Sequence, residues 1–169
     1  AEKLCGFIML VPSAFSQSVT TFVAQNVGAS EFGRARKALF YGILTSLAVG
    51  VFMFYAAFFH GDLLSAVFAK DTDIIAASAS YLKAFGIDCL LTSFLFCFLG
   101  YFNGCGNTTF VMIQGITGAF AVRIPVSYVV SLQPWASLFH IGLATPISTV
   151  VQIALSAGYF IYQSKKEKT

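Results

Sequence analysis

The chain has 169 residues, of which 57% are hydrophobic, 16% aromatic and 10% charged, with a formal net charge of +3 and a mean hydropathy of +0.80. An ordinary soluble domain carries roughly 25% charged residues, so this composition excludes one: it leaves too much apolar surface to hide. Most basic residues adjoin apolar runs, which points to membrane topology and away from nucleic acid as a partner.

The sequence opens AEKLCGF, with no initiating Met and no small-residue cleavage pattern of a signal peptide. It reads as part of a longer protein. Residues 4–30 and 38–61 contain no Asp, Glu, Lys or Arg, and each run exceeds the ~20 residues that a helix needs to cross a ~30 Å hydrocarbon core. The first predicted span covers about 7–29 and is punctuated by Pro12; the second covers about 38–59. Gly42, Ser46 and Gly50 recur at four-residue spacing in the second, placing small residues on one face where another backbone can approach.

From Ala84 to Val122 the only charge is Asp88, and this run is too long for one span. Its break is expected at Asn103-Gly-Cys-Gly-Asn107, because Gly and Asn tolerate turn conformations. A third span of about 78–102 and a fourth of about 109–131 result, the fourth ending at Leu132-Gln-Pro-Trp135. A fifth, about 141–162, runs into Lys165-Lys-Glu-Lys168. The fold class is therefore all-α, a polytopic integral membrane bundle with the lipid bilayer as its surroundings, and residues 1–169 form one partial transmembrane lobe.

Arg34, Arg36 and Lys37 lie four spans from the C-terminal lysines, so an even number of crossings puts both clusters on one side. Lys and Arg are enriched on the cytoplasmic side; the C-terminus is predicted there, in a multi-pass protein of the cell (inner) membrane. The loop 60–73, with Asp62, Lys70, Asp71 and Asp73, falls on the opposite face. Cys5, Cys89, Cys97 and Cys105 lack zinc-site spacing and read as buried thiols.

Residues 25–29 (QNVGA), Arg34-Ala-Arg-Lys37, Gly100 to Thr108 (GYFNGCGNT), Arg123-Ile-Pro125 and Gly142 to Ser148 (GLATPIS), in that order and between these spans, resemble the C-terminal half of multidrug and toxic compound extrusion (MATE) transporters. The resemblance implies a twelve-helix antiporter with two six-helix lobes around a central cavity. Such an antiporter extrudes small cationic or amphipathic substrates against inward Na⁺ or H⁺. It implies further that the five spans correspond to helices eight to twelve, that helix seven and the N-terminal lobe are the missing partner, and that no cofactor beyond the coupling ion is needed.

Asp88 is the only acid within a span, and a carboxylate in hydrocarbon is costly enough to need a protein or water-filled surrounding. It can bind Na⁺ or take up a proton, and either event changes which packing is preferred. In some branches of the family an acid on helix ten contributes to the cation site. The structural alternative is an ion pair: Asp88 lies 17 residues before Cys105 and Arg123 18 after, both ~26 Å from the turn in an antiparallel hairpin. The two readings stand open. Ser13, Ser16, Gln17 and Thr20 on the first span, and Thr145, Ser148 or Thr149, Gln152 and Ser156 on the fifth, follow helical spacing and form polar faces that line a cavity or pack between helices. Gln114, Thr117 and Arg123 extend the same lining. One acid and no nucleophile–base set argue against an enzyme. A lipid-linked oligosaccharide flippase, whose cavity usually carries several cations, and a non-transporting scaffold are the alternatives to an efflux antiporter.

Overall fold

The computed structural model describes residues 2–60, 72–133, 140 and 142–166. Among them all regular structure is helical: α1 (Glu2–Gly28), α2 (Phe32–Phe59), α3 (Thr72–Gly104), α4 (Thr108–Ile116), a π-helical segment (Thr117–Arg123), α5 (Ile124–Ser131) and α6 (Ala144–Lys166). Four stretches, Phe32–Ala56, Phe85–Gly104, Thr108–Ser131 and Ala144–Lys165, are long and apolar enough to cross a membrane. Phe40, Phe52, Phe120 and Tyr128 lie exposed on the outside. Large apolar side chains around the perimeter are what lipid, and not water, stabilises.

The helices run further than the apolar pattern implies. α2 begins at Phe32, so Arg34, Arg36 and Lys37 ride on its first turns and not in a loop; Lys165 likewise stays helical at the end of α6. Arg and Lys are good helix formers, and nothing ends a helix where it leaves hydrocarbon. α1 continues through Pro12. The loop 61–71 and Pro134 to Phe139 lie outside the described residues.

Two hairpin turns share one geometry. After α1, Glu31 N–H bonds Asn26 O at 2.8 Å and Ser30 N–H bonds Val27 O at 2.9 Å, with Ser30 at φ 61°. After α3, Asn107 N–H bonds Phe102 O at 2.8 Å and Gly106 N–H bonds Asn103 O at 3.0 Å, with Gly106 at φ 80°. These are Schellman ends, in which one left-handed residue lets the next amides reach back to the last helical carbonyls. The break expected within 103–107 is therefore where it forms.

α3 is the central helix: 61% of its Phe85–Gly104 stretch is enclosed, against 28% or less for the other three spans. It packs on α1, α2 and α6. Against α1 and α2 the approach is set by small residues. A Cβ on Gly100 would meet Ser16 O at 2.5 Å, one on Gly104 would meet Val23 Cβ at 2.7 Å, and one on Gly50 would collide with Ser93 Oγ. Ser46 is buried and its Oγ reaches Ser93 O at 3.4 Å. The Gly42, Ser46, Gly50 face is thus a helix contact. At the turn end of α3, Phe98, Tyr101 and Phe102 pack with Phe110, Tyr159 and Phe160, Phe110 and Tyr159 stacking at 4.0 Å between ring centres. These rings tie α3, α4 and α6 together. Cys89 and Cys97 are buried and Cys105 is half-buried.

The fourth span is one helical path with a widened middle. Ile124 N–H bonds Ala119 O, five residues back, immediately before Pro125. Proline has no N–H and its ring crowds the carbonyl four residues before it; the wider turn relieves the crowding, so the span continues into α5.

Candidate functional site

Because α3 is enclosed on several sides, a polar residue midway along it is withdrawn from lipid. Asp88 is 1% exposed. Thr149, on α6, donates its hydroxyl proton to Asp88 Oδ1 at 2.6 Å, and Thr92, one turn further along α3, is a second hydrogen-bond partner of the carboxylate. A bond as short as that from Thr149 is of the strong class when its acceptor is ionised. Thr149 Oγ1 also lies 3.0 Å from Thr145 O. A hydroxyl has one proton, so the two acceptors compete for it.

The pairing with Arg123 is not observed. Arg123 is exposed at the end of the π segment, and it acts on Asp88 only as a charge through space. The equal-depth count assumes that two helices leaving a tight turn stay side by side. Here they diverge: among the described residues the π segment packs on α6 and not on α3, and α6 supplies Asp88 with its partner.

A second polar seam joins the fourth span to α6. Ser148 Oγ donates to Gly118 O at 2.7 Å, and Gln152 Nε2 donates to Ser148 Oγ at 3.3 Å. Gln114, buried to 1% exposure, donates from Nε2 to Gln152 O at 3.3 Å. Its Oε1 is buried without a partner. Gly118 has no side chain because the Gln152 amide occupies the space a Cβ would need. The π segment is the part of the helix that carries Gly118 O to Ser148.

The MatE family profile matches residues 1–129. The chain belongs to the MatE family. It is 22% identical over 157 residues to the multidrug and toxin extrusion protein 1 of Oryctolagus cuniculus, covering 93% of this chain and 28% of that protein. It is 18% identical over 167 residues to a probable multidrug resistance protein, YoeA, of Bacillus subtilis, covering 99% of this chain and 36% of that one. Its fold matches an inward-facing multidrug resistance MATE family transporter of the MOP superfamily with a TM-score of 0.87, at 14% identity, over 99% of this chain and 39% of that chain. The chain therefore spans between 28% and 39% of the length of these relatives.

Within this MatE unit the sequence candidates separate into groups. Asp88 and Thr149 meet between α3 and α6, and Ser148, Gln152 and Gln114 form the neighbouring seam between α6 and the fourth span. Ser13, Ser16 and Thr20 are half-buried, and the α1 backbone at Ser16 and Thr20 packs on Gly100 and Gly104; Gln17 is exposed. Thr117 returns its hydroxyl to Ile113 O at 2.8 Å. The backbone under the polar stripe of α1 is thus part of a helix contact, and Arg123 stands apart from both seams. Thr92 was absent from the sequence candidates. The available signal was its place four residues after Asp88, one helical turn on the same face.

Proposed function

We propose that the chain is part of the C-terminal transmembrane lobe of a cation-coupled efflux antiporter, with Asp88 taking the coupling Na⁺ or H⁺. The supporting observation is a buried carboxylate held across two helices by a hydroxyl that has a second acceptor within reach. Charged, Asp88 draws the Thr149 proton and binds α6 to α3. Neutralised by a proton, it no longer competes as strongly, and Thr149 turns to Thr145 O, as threonines in helices commonly do. A Na⁺ on the carboxylate would repel the Thr149 proton and draw on the oxygens of Asp88, Thr92 and Thr149, a set of hard donors that suits it. A proton thus releases a bond between helices and Na⁺ would replace that bond with coordination; in both cases ion occupancy changes the contact between α3 and α6, which is the differential contact that an ion-driven change of state needs. The relatives' names, multidrug and toxin extrusion and multidrug resistance, support drugs and toxins as the exported class; we take these to be small amphipathic or cationic compounds, with the remaining helices of a two-lobe protein completing the cavity. The turn at 29–33 and the C-terminus are assigned to the cytoplasmic side of the cell membrane. Labelling of an introduced Gly33→Cys, and not of Ala66→Cys, by an impermeant maleimide in intact cells would invert that assignment.

Asp88→Asn tests the coupling. The amide keeps the size of the acid but has no titratable charge, so gradient-driven efflux by the full-length protein should fall to background at normal expression, while the protein inserts and folds. Efflux at the wild-type rate, with an unchanged response to the ion gradient, would sink the assignment. The double variant Asp88→Asn/Arg123→Gln should restore neither efflux nor stability, because no contact pair exists to be relieved.

A further inference from the structure

A groove of 480 Å³ runs between α1 and α2, lined by residues of these two helices alone. Its volume is that of a small-molecule site, ~300–1,000 Å³. Gly42 and Val19 form its floor, where the helices come closest: a Cβ on Gly42 would lie 2.8 Å from Val19 Cγ2. Phe15, Phe22 and Tyr41 form the walls. Of the three hydroxyls in the lining, those of Ser18 and Thr45 are used within their own helices, Ser18 donating to Ala14 O at 2.9 Å and Thr45 to Tyr41 O at 2.8 Å, and the third is at the tip of the Tyr41 ring. The groove therefore presents an apolar surface along its length.

Its end at the α1–α2 turn is different. Arg34 and Lys37 both line it and both are exposed. Among the described residues neither makes an ion pair, and Glu31 of the adjoining turn bridges neither. From Arg34 to Thr45 the groove covers 12 residues of α2, a rise of ~16 Å, close to half of a ~30 Å hydrocarbon core. That is the depth of one leaflet. An apolar channel one leaflet deep, closed by two cations at the headgroup level, matches one kind of molecule. A packed helix would leave the cations without counter-charge, and the cations would repel a cationic compound.

We propose that this groove binds one anionic phospholipid of the surrounding membrane, its acyl chain along Phe15, Val19, Phe22 and Tyr41 and its phosphate between Arg34 and Lys37. The site is separate from Asp88 and does not depend on the coupling reading. A zwitterionic lipid brings its own cation to the same place and binds less well.

The purified full-length protein, in nanodiscs of phosphatidylcholine with a minor fraction of phosphatidylglycerol, provides the test. Native mass spectrometry after release should show phosphatidylglycerol retained over phosphatidylcholine. The surface variant Arg34→Gln/Lys37→Gln should lower that preference about tenfold, while Lys165→Gln, outside the groove, leaves it unchanged. An equal preference in the wild type and the double variant overturns the proposal. For the chain-binding part, a single Trp is placed at Phe22 or at the exposed Ile116 in a full-length background whose native tryptophans, Trp135 among them, are replaced by Phe, and phosphatidylglycerol with brominated chains is added as a minor component. Stronger quenching at position 22 than at 116 is expected. Equal quenching, meaning ordinary boundary lipid only, or quenching at 116 alone, meaning that protein covers the groove, overturns it.

Discussion

The contact of α1 and α2 with α3 and the contact of α6 with α3 and the π segment are both buried seams between membrane helices, but they are held by different physics. In the first, Gly50, Gly100 and Gly104 bring a neighbouring chain against bare backbone, and Ser46 fills what is left. Close packing of this kind has one good arrangement, since there is no hydrophobic effect between helices in lipid and the attraction falls off within an ångström. In the second, hydroxyls and amides cross the gap: Thr149 to Asp88, Ser148 to Gly118 O, Gln114 to Gln152 O. Thr149 has an alternative acceptor, and Gln114 Oε1 has none in the present packing. A seam of exchangeable bonds beside a widened helix can reset; a seam of glycines cannot. Any rearrangement among these helices therefore belongs to α6 and the fourth span, with α1 to α3 carried as one body.

The largest effect should come from the glycine seam. Gly100→Val pushes a branched side chain into Ser16 O, and we expect a loss of about 3 kcal/mol or failure to accumulate in the membrane. Gly115→Val, at a glycine with open space around it, should accumulate normally. Equal behaviour of the two in thermal denaturation of the purified protein would erase the distinction between the seams.

Ser46→Leu comes next. The serine is 2% exposed against α3, so overpacking by about 1–3 kcal/mol is expected, and an unchanged melting temperature would mean that α2 turns this face to lipid. The hydrogen-bonded seam should lose less. Ser148→Ala removes the bond to Gly118 O, an interhelical bond in a membrane worth ~0.6 kcal/mol on average and ~1.7 at most. A loss as large as that of Gly100→Val would show that the second seam is as unyielding as the first. Smallest of all is Arg123→Gln. With no ion pair to break, stability should change by no more than ~0.5 kcal/mol, and a loss of several kcal/mol with rescue by Asp88→Asn would revive the bridge.

Much of this architecture was legible in the sequence because the bilayer asks so few questions of it. Five helical spans, the turn at 103–107, and the contact face of Gly42, Ser46 and Gly50 all follow from length, hydropathy and the spacing of small residues, whereas the first turn is tighter than the gap between the apolar runs implies. Asp88 was legible as the one acid that needed an answer. What could not be read was the identity of that answer. The hairpin count favoured Arg123, at equal depth, and depth is a one-dimensional measure; which residues touch depends also on how far two helices diverge and on rotation about their axes. The π segment changes that rotation just before Arg123, and no hydrophobic period announces it.

The sequence by itself determined that the chain crosses a membrane as helices, because hydrocarbon leaves every backbone amide only its own helix to bond with, and it determined which residues carry charge into that environment. The tertiary structure alone decided that Asp88 is held by Thr149 and Thr92, that the stripe of Ser13, Ser16 and Thr20 lies half-buried on the helix bearing Gly100 and Gly104, and that two cations end an apolar groove between α1 and α2. Helix formation is local, set within four residues by bonds that each segment makes to itself. Partnership between helices is set by shape and by a few polar groups whose energies differ by about a kcal/mol, and differences that small are resolved only when all the helices are in place.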